Sequence, residues 1–277
     1  MVSWGQVELH LGLVPVHDDD ATHLALDKIA RALSAAVART VEVHRLASPD
    51  ALCRAFEEGD VDLVWSSPTL ALSKREMIPC VPVLVCQRQG VAHYHGVIFV
   101  RRDSPIRSPL DLTGRSIGWV APTSAAGYIF PRVSLAGHGV DPSSIFSSET
   151  FLDTHGGVVL SVLDGVVDAG ATFAVFENGD ATAPMIRAGF VDLGREHDVR
   201  VVLTTPPIPS DLFVASPKLH ADLGGGPIGD ALRTVCRDLP VEFHRVFGAD
   251  DVAPALNRPL TELRRQLDDA RAMGVLD

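Results

Sequence analysis

A short run of small residues between an apolar segment and a helical segment is the most chemically suggestive stretch of this sequence. The apolar run "SIGWV" precedes "PTSAAGYIFPR", which covers residues 122–132 and includes Ser124. A turn of this kind can present backbone N–H groups to an anion, because the first N–H groups of a helix have no acceptor within it. The stretch therefore indicates an anion-binding loop, a loop of an active site or a tight corner.

Known catalytic signatures are missing from the sequence. It contains no nucleophile elbow, no phosphate-binding P-loop, no HExxH pair and no dinucleotide fingerprint. The glycine run "LGGGP" follows a polar stretch and not a strand, so we interpret it as a flexible turn before a helix. We assign no catalytic residue, and an enzyme is the less favoured hypothesis.

The first third of the chain alternates between strand and helix patterns. The segments "VELHLGLVP", which begins at Val7, "VEVHRL" and "VDLVWSS" predict three strands. Between them we expect a helix capped by Asp20 and a second helix that begins at Ser48 followed by Pro49. The order β-α-β-α-β is typical of an α/β layer fold.

The pattern restarts in the middle of the chain. Strands are predicted in "GVIFVRRDSP", "SIGWV", "VVDAGATF" and "VRVVLTTPPIP", followed by "DLFVAS" and three helical stretches. Two extended crossings near residues 99–105 and 201–206 predict two lobes with a cleft between them. We expect residues 1–102 and 203–277 to form the first lobe and residues 103–202 the second.

Polar residues near the predicted strand ends are candidates for this cleft. His17 follows the first strand, and Ser67 ends the third, at the edge where open α/β sheets bind ligands. Trp65 is expected in the core. His17, His93, His95 and His155 also allow a metal site as an alternative, but they include a single H-x-H pair, so we predict neither a metal nor a cofactor.

Composition restricts the partners and the location. The 277 residues have a net charge of −11, which argues against nucleic-acid and anionic-membrane surfaces. No apolar run reaches the roughly 18 residues of a membrane span. We see no secretory signal peptide, which predicts a cytoplasmic protein as written, or a periplasmic or lipid-anchored one if the N-terminus was trimmed. The four cysteines, which form no CxxC pair, are expected to be buried free thiols.

Five motifs occur in an order that resembles a known family. "DLTG", "PTSAAGY", "TH", "DGVVDAGA" and "PPIP" follow one another as in the phosphonate- and phosphate-type solute-binding proteins of ABC transporters. The resemblance covers most of the chain. It implies a type II periplasmic-binding fold, in which two lobes close about hinge crossings on a small, anionic ligand.

The resemblance also implies roles for particular residues. The loop with Ser124 and Tyr128 would bind an oxyanion, although Ala125 and Ala126 replace two hydroxyl residues of the family, so we expect weak binding of simple alkylphosphonates. His155 matches a ligand-facing histidine of the family. Tyr94, in "HYHG", matches an aromatic residue that would line the cleft.

Two function classes follow from these features. The first is a binding protein for a small molecule such as an oxyanion, with an ABC transporter permease as its partner. The alternative is a cytoplasmic biosynthetic enzyme or a ligand sensor on the same fold, because a fold alone does not determine a function.

Overall fold

The computed structural model of the protein describes residues 8–73, 77 and 80–274. Its strands are β1 Leu9–Leu13, β2 Val41–Arg45, β3 Leu63–Ser66, β4 Val81–Gln87, β5 His93–Arg101, β6 Ser116–Trp119, β7 Ser148–Phe151, β8 Ala169–Phe176, β9 Met185–Ala188, β10 Val199–Thr204, β11 Ile208–Pro209, β12 Leu212–Ala215 and β13 Asp251–Pro254. Its helices are α1 Asp20–Val37, α2 Pro49–Glu58, α3 Pro68–Ser73, α4 Phe130–Gly137, α5 His155–Leu163, α6 Pro217–Leu223, α7 Gly225–Asp238, α8 Pro240–Phe247 and α9 Asn257–Ala272. Val7, where we expected the first strand to begin, lies outside the described residues.

Contacts between α-carbons divide the chain into two compact units, of which the first comprises Met1–Ala92 and Pro209–Leu260. Its sheet has the strand order β13-β4-β12-β3-β1-β2. β1 is parallel to β2 and β3, so the carboxyl ends of these three strands lie at one edge, whereas β12 is antiparallel to β3 and β4. The opening β-α-β-α-β order is confirmed.

Helix starts in this unit follow their capping residues. Ser48 caps α2 as predicted, since its Oγ accepts the N–H of Ala51 at 3.2 Å, and Gly59 ends the helix with φ +80°. For α1 the cap is Asp19 and not Asp20: the extended backbone at Asp19 lets its carboxylate accept the N–H of Thr22 at 2.8 Å. The residue that caps the helix is the one at which the chain leaves the extended conformation. Because both candidates are aspartates, residue type does not show which of them this is.

The second unit comprises His93–Ile208 and Thr261–Asp277. Its main sheet has the order β10-β5-β8-β6-β7, with β6 parallel to both β7 and β8. Alternate residues of β5 enter two separate cores: Val97 and Phe99 pack on one face of the sheet, and Ile98 and Val100 on the other. Burial on both faces of the sheet explains why this part of β5 has a continuous apolar sequence.

The unit boundaries differ from the lobes expected at 1–102 with 203–277 and at 103–202. β5 pairs with β8 and β10 along most of its length, so it belongs to the second sheet and is not a crossing near 99–105. Residues 261–277, which include most of α9, group with the second unit as well. Local periodicity indicates that a segment is a strand or a helix. The partners of that strand or helix are distant in sequence, so periodicity does not show which unit the segment belongs to.

The C-terminal third has more elements than expected. After "DLFVAS", now β12, we predicted three helical stretches, and the structure has α6, α7, α8 and α9 with β13 before the last. The glycine run is tighter than a flexible turn: Gly224, at φ +74°, ends α6 and α7 begins at the next residue.

None of the four cysteines, which all lie in the described part of the chain, forms a disulfide, and all four are buried, as predicted. Burial raises the pKa of the Cys86 thiol to about 12, which keeps it protonated. Among the helices of the described chain, none combines the length and apolar character needed to cross a membrane.

Candidate ligand-binding site

The turn after β6 begins with a hydroxyl cap. Ser124 has an extended backbone, and its Oγ accepts the N–H of Gly127 at 3.1 Å. Residues Ala125–Ile129 then form one turn of π-helix that continues directly into α4. π-Helical turns are frequent at functional sites. Because the Ser124 oxygen is the acceptor in this bond, its hydroxyl proton is available to a ligand.

Close packing makes glycine necessary at position 127. A Cβ at Gly127 would lie 2.4 Å from Cγ2 of Val120 and 2.8 Å from Oγ of Ser124. Val120 also donates its N–H to the carbonyl of Gly127 at 3.2 Å, which ties the turn to the end of β6. The position of the Ser124 hydroxyl therefore depends on Gly127.

The helix after β7 starts in the same way. Thr154 is the extended N-cap of α5, and its Oγ1 accepts the N–H of Gly157 at 2.9 Å. β6 and β7 are parallel neighbours, so S-x-x-G and T-x-x-G turns begin at the same sheet edge. The N–H of Asp153 donates to the carbonyl of Val120 at 2.9 Å, which joins the two turns. Two capped helix starts at one edge favour a negatively charged group there.

His155 is the first residue of α5, and its ring faces the sheet. Its Nδ1 lies 3.0 Å from Oγ1 of Thr172 on β8, and the ring stands edge-on to Phe173 at 5.0 Å. His155 does not cap its own helix, because Thr154 caps α5 and His155 bonds to a neighbouring strand. Its predicted contact with the ligand stays a prediction.

Burial changes the charge expected on His155. Desolvation lowers its pKa below the ordinary value for histidine, and Asp192 opposes the shift only in part. The neutral form of the ring is therefore favoured at neutral pH. A neutral His155 still offers a ligand a donor or an acceptor, but not a permanent positive charge.

The two alanines of the loop differ in exposure. Ala126 is buried, with 3% of its surface exposed, and a Cβ on Gly96 would lie 2.9 Å from its carbonyl oxygen. Ala125 is half-buried. An added hydroxyl group would therefore meet different surroundings at the two positions: packed interior atoms at position 126 and an accessible surface at position 125.

Tyr128 packs within an aromatic group. Its ring lies 5.5 Å from Trp119 and 5.2 Å from Phe151, and the guanidinium of Arg132 is 5.2 Å from its centre. These contacts hold the π-helical turn against the sheet. A ligand contact by Tyr128 stays a prediction.

The segment "HYHG" forms the start of β5. Tyr94 is half-buried, and its predicted role in lining the cleft stays a prediction. His95 is buried, with 4% of its surface exposed. Its Nδ1 lies 2.8 Å from the carbonyl of Thr205, which can only accept, so Nδ1 bears the proton. Nε2 is then a buried acceptor with no partner among the described residues.

Two predicted residues lie at the carboxyl edge of the first unit's sheet. Ser67 is exposed, and its Oγ accepts the N–H of Leu70 at 3.2 Å. His17 is exposed and lines a cavity of about 700 Å³ within this unit, together with Trp65 and the ion pair of Arg88 with Asp211. Trp65 is buried against Phe247 at 5.5 Å, as expected for a core residue.

The four histidines of the alternative metal hypothesis do not form a ligand cluster. His93 and His95 direct ring nitrogens at two different carbonyls, those of Gly179 and Thr205. Among the residues that the structure describes, the group that meets metal-ligand spacing is a different one, formed by His10, Glu42 and His44.

Two residues of this site were not predicted from the sequence. Thr154 supplies the second hydroxyl cap, and Thr172, fully buried on β8, orients His155. The repeated spacing of a hydroxyl residue and a glycine three positions later was a usable signal for Thr154. No local signal exists for Thr172, because its partner lies on another element.

Comparisons with solved structures agree with this architecture. XAC2383 from Xanthomonas citri, bound to ATP, is 19% identical over 96% of this chain and 98% of its own, with a TM-score of 0.74. PhnD1 from Prochlorococcus marinus, in complex with methylphosphonate, is 16% identical over 98% and 100%, with a TM-score of 0.64. The periplasmic aliphatic sulphonate binding protein SsuA from Escherichia coli is 14% identical over 97% and 88%, with a TM-score of 0.57. These likenesses show a type II periplasmic-binding fold.

No curated protein is similar enough in sequence to be matched to this chain. A family match, in contrast, covers residues 11–237 and includes both hydroxyl-capped turns. Its description is the periplasmic substrate-binding protein of a phosphonate ABC transporter. The expected small-molecule ligand and transporter partner follow from that description. The chain belongs to the family of phosphonate ABC transporter periplasmic substrate-binding proteins.

Proposed function

We propose that this protein binds the tetrahedral oxyanion of a small ligand at the two turns that follow β6 and β7, and delivers that ligand to an ABC transporter permease. The observation that supports this most is the pairing of two hydroxyl-capped helix starts on neighbouring parallel strands. Each cap oxygen accepts a backbone N–H of its own helix, so each hydroxyl proton can be donated to an anion.

The chemistry of the site favours a phosphonate or a phosphate ester. Backbone N–H groups at a helix start and hydroxyl donors are the groups that bind phosphate oxygens in proteins. His155 adds a neutral imidazole held by Thr172. Solved structures of the same fold bound to ATP and to methylphosphonate are consistent with ligands of this class.

The family description also supports a location outside the cytoplasmic membrane, either periplasmic or lipid-anchored. We favour this over the cytoplasmic location expected from the sequence. Fractionation of cells that express the full-length gene, with detection by antibody, tests the assignment, and a signal confined to the cytosol would contradict it.

Isothermal titration calorimetry tests the ligand class. Phosphate, methylphosphonate, ATP and an alkanesulfonate are titrated into the wild type and into the Ser124→Ala and Thr154→Ala variants. We expect binding of at least one phosphorus oxyanion, weakened in each variant by roughly 1.5–3 kcal/mol for a lost hydrogen bond to a charged group. Equal affinity in the wild type and both variants would contradict the proposal.

A matched control separates binding from helix capping. Ser48→Ala removes the same type of cap, the Ser48 Oγ bond to the N–H of Ala51, in the first unit. All three variants should lose stability of about 1 kcal/mol. Ligand affinity should fall in Ser124→Ala and Thr154→Ala and stay unchanged in Ser48→Ala.

A further inference from the structure

Two histidines and a glutamate converge on two neighbouring strands of the first unit. In the register of β1 with β2, His10 lies opposite Glu42, and His44 lies opposite Gly12. Leu9, Leu11 and Leu13 point into the core, so His10 is on the other face of the sheet, together with Glu42 and His44. His10 and His44 are half-buried, and Glu42 is exposed at the edge strand.

The distances within this group suit a single metal ion. His10 Nδ1 lies 2.9 Å from His44 Nε2 and 3.7 Å from Glu42 Oε2, and one ligand atom from each residue lies within 4.8 Å of the others. Ligand atoms at the usual Zn–N distance in a tetrahedral site are about 3.3 Å apart. The two measured distances bracket that value, so the ligand atoms are close to the spacing that one ion requires.

A second carboxylate lies on the far side of the His10 ring. Glu8 Oε2 is 3.9 Å from His10 Nε2, the nitrogen that does not face His44. Metal-bound histidines commonly donate their other ring N–H to a carboxylate, which fixes the tautomer and orients the ring. The backbone N–H of His10 also donates to Asp62 Oδ2 at 3.3 Å, which ties this position to the segment before β3.

We propose that His10 Nδ1, His44 Nε2 and Glu42 Oε2 bind a divalent zinc ion on the β1–β2 face of the first unit, with Glu8 orienting His10. Two imidazoles and a carboxylate form a donor set typical of zinc, with a fourth position left for water. Softer, thiolate-selecting metals are disfavoured, since the group contains no cysteine. Magnesium and calcium, which prefer oxygen ligands, are disfavoured by the two nitrogens.

This group lies apart from the two candidate ligand residues of the first unit, His17 and Ser67. His10 and Glu42 are the second residues of β1 and β2, whereas His17 and Ser67 lie beyond the carboxyl ends of β1 and β3. Because β2 is the edge strand of its sheet, an ion bound here would link that strand to β1. Zinc should therefore stabilise the first unit without taking part in oxyanion binding.

Calorimetry on the full chain, with any affinity tag removed and after treatment with a chelator, tests the proposal. Zn²⁺ is titrated into the wild type and into His10→Gln, His44→Gln, Glu42→Gln and Glu8→Gln. We expect one site per chain, with affinity reduced about 100-fold or more by either histidine variant and about 10-fold by Glu8→Gln. His197→Gln is the matched control, because it removes a histidine of the second unit whose side chain is 89% exposed.

Further measurements distinguish the loss of the zinc site from misfolding of a variant. Co²⁺ added to the wild type should give the visible absorption of a tetrahedral site, and Zn²⁺ should remove it. Zn²⁺ should raise the melting temperature of the wild type and of His197→Gln, but not of His44→Gln, and Mg²⁺ should raise none. Absence of Zn²⁺ binding by the wild type, or equal affinity in the wild type and His44→Gln, would overturn the proposal.

Discussion

The imidazole of His155 and the hydroxyl of Thr172 lie within hydrogen-bond distance, with 3.0 Å between Nδ1 and Oγ1. Thr172 is fully buried on β8, and His155 begins α5, so this contact fixes the histidine ring against the sheet. Burial also lowers the pKa of His155. The lowered pKa favours the neutral ring at neutral pH, so the proposed contribution of His155 to anion binding should depend on pH.

The affinity of the protein for an anion of constant charge should rise as pH falls. Because the pKa of His155 is lowered, the affinity should continue to rise at pH values below those expected if the histidine were exposed. An anion stabilises the protonated ring, and the gain is complete only below the depressed pKa of the free protein, which lies under the ordinary value of about 6.5. Calorimetry from pH 8 to pH 5 on the wild type and His155→Gln measures this. A pH profile that is unchanged in His155→Gln would contradict it.

The two loop alanines should respond differently to added hydroxyl groups. Ala125→Thr places a donor at a half-buried position and should strengthen binding of methylphosphonate. Ala126→Ser buries a hydroxyl among packed atoms and should instead cost roughly 1–3 kcal/mol of stability if it finds no partner. Calorimetry and urea denaturation of both variants distinguish the effects. Tighter binding by Ala126→Ser without a loss of stability would show that the position faces the ligand.

Gly127→Ala should destabilise the protein and weaken anion binding together. The new Cβ would lie 2.4 Å from Val120 Cγ2 and 2.8 Å from Ser124 Oγ, so the turn must shift at a cost of roughly 1–3 kcal/mol. Gly137→Ala in α4 is the control, because nothing lies within 4 Å of its Cβ position. Urea denaturation should show no loss of stability for Gly137→Ala. Equal stability of Gly127→Ala and Gly137→Ala would contradict the packing assigned to Gly127.

Arg132 should be intolerant of substitution by lysine. Its side chain is 8% exposed, pairs with Glu149 and donates to the carbonyl of Pro142 at 2.7 Å, while its guanidinium lies against the Tyr128 ring. A lysine cannot make these contacts at once, so Arg132→Lys should lose roughly 3 kcal/mol. Arg233→Lys, at an exposed pair with Asp230, should change stability by less than about 1 kcal/mol in urea denaturation.

The free energy of unfolding should fall as pH drops below about 6.5, the ordinary pKa of histidine. Burial lowers the pKa of His95 in the folded state, so the unfolded chain binds more protons in this range and stability increases with pH. The contribution of His95 is complete above pH 6.5 and is lost as pH falls through the folded pKa. His95→Gln should reduce the slope of stability against pH between 7 and 5, and His197→Gln should not. Equal slopes in all three proteins would contradict this assignment.

The sequence by itself determined several of the strands and helices and the position of the turn that begins at Ser124. Ser48 with Pro49 and Gly59 marked the ends of α2, because caps act on the residues next to them. The loop with Ser124 was identified for the same reason: a hydroxyl residue and small residues between a strand and a helix have a local geometric meaning. The order of five such motifs was sufficient to indicate the family.

Only the tertiary structure decided the properties that depend on distant residues. Strand pairing assigned β5 to the second unit, and contacts between α-carbons assigned most of α9 to it. In both cases the partners are distant in sequence, so the local sequence pattern does not identify them. Packing determined that Ala126 is interior and that Thr172 holds His155, and the same burial lowered the pKa of that histidine. Burial and electrostatic environment arise from atoms brought together by folding, so residue type and spacing identify a candidate side chain without specifying its exposure, its partner or its charge.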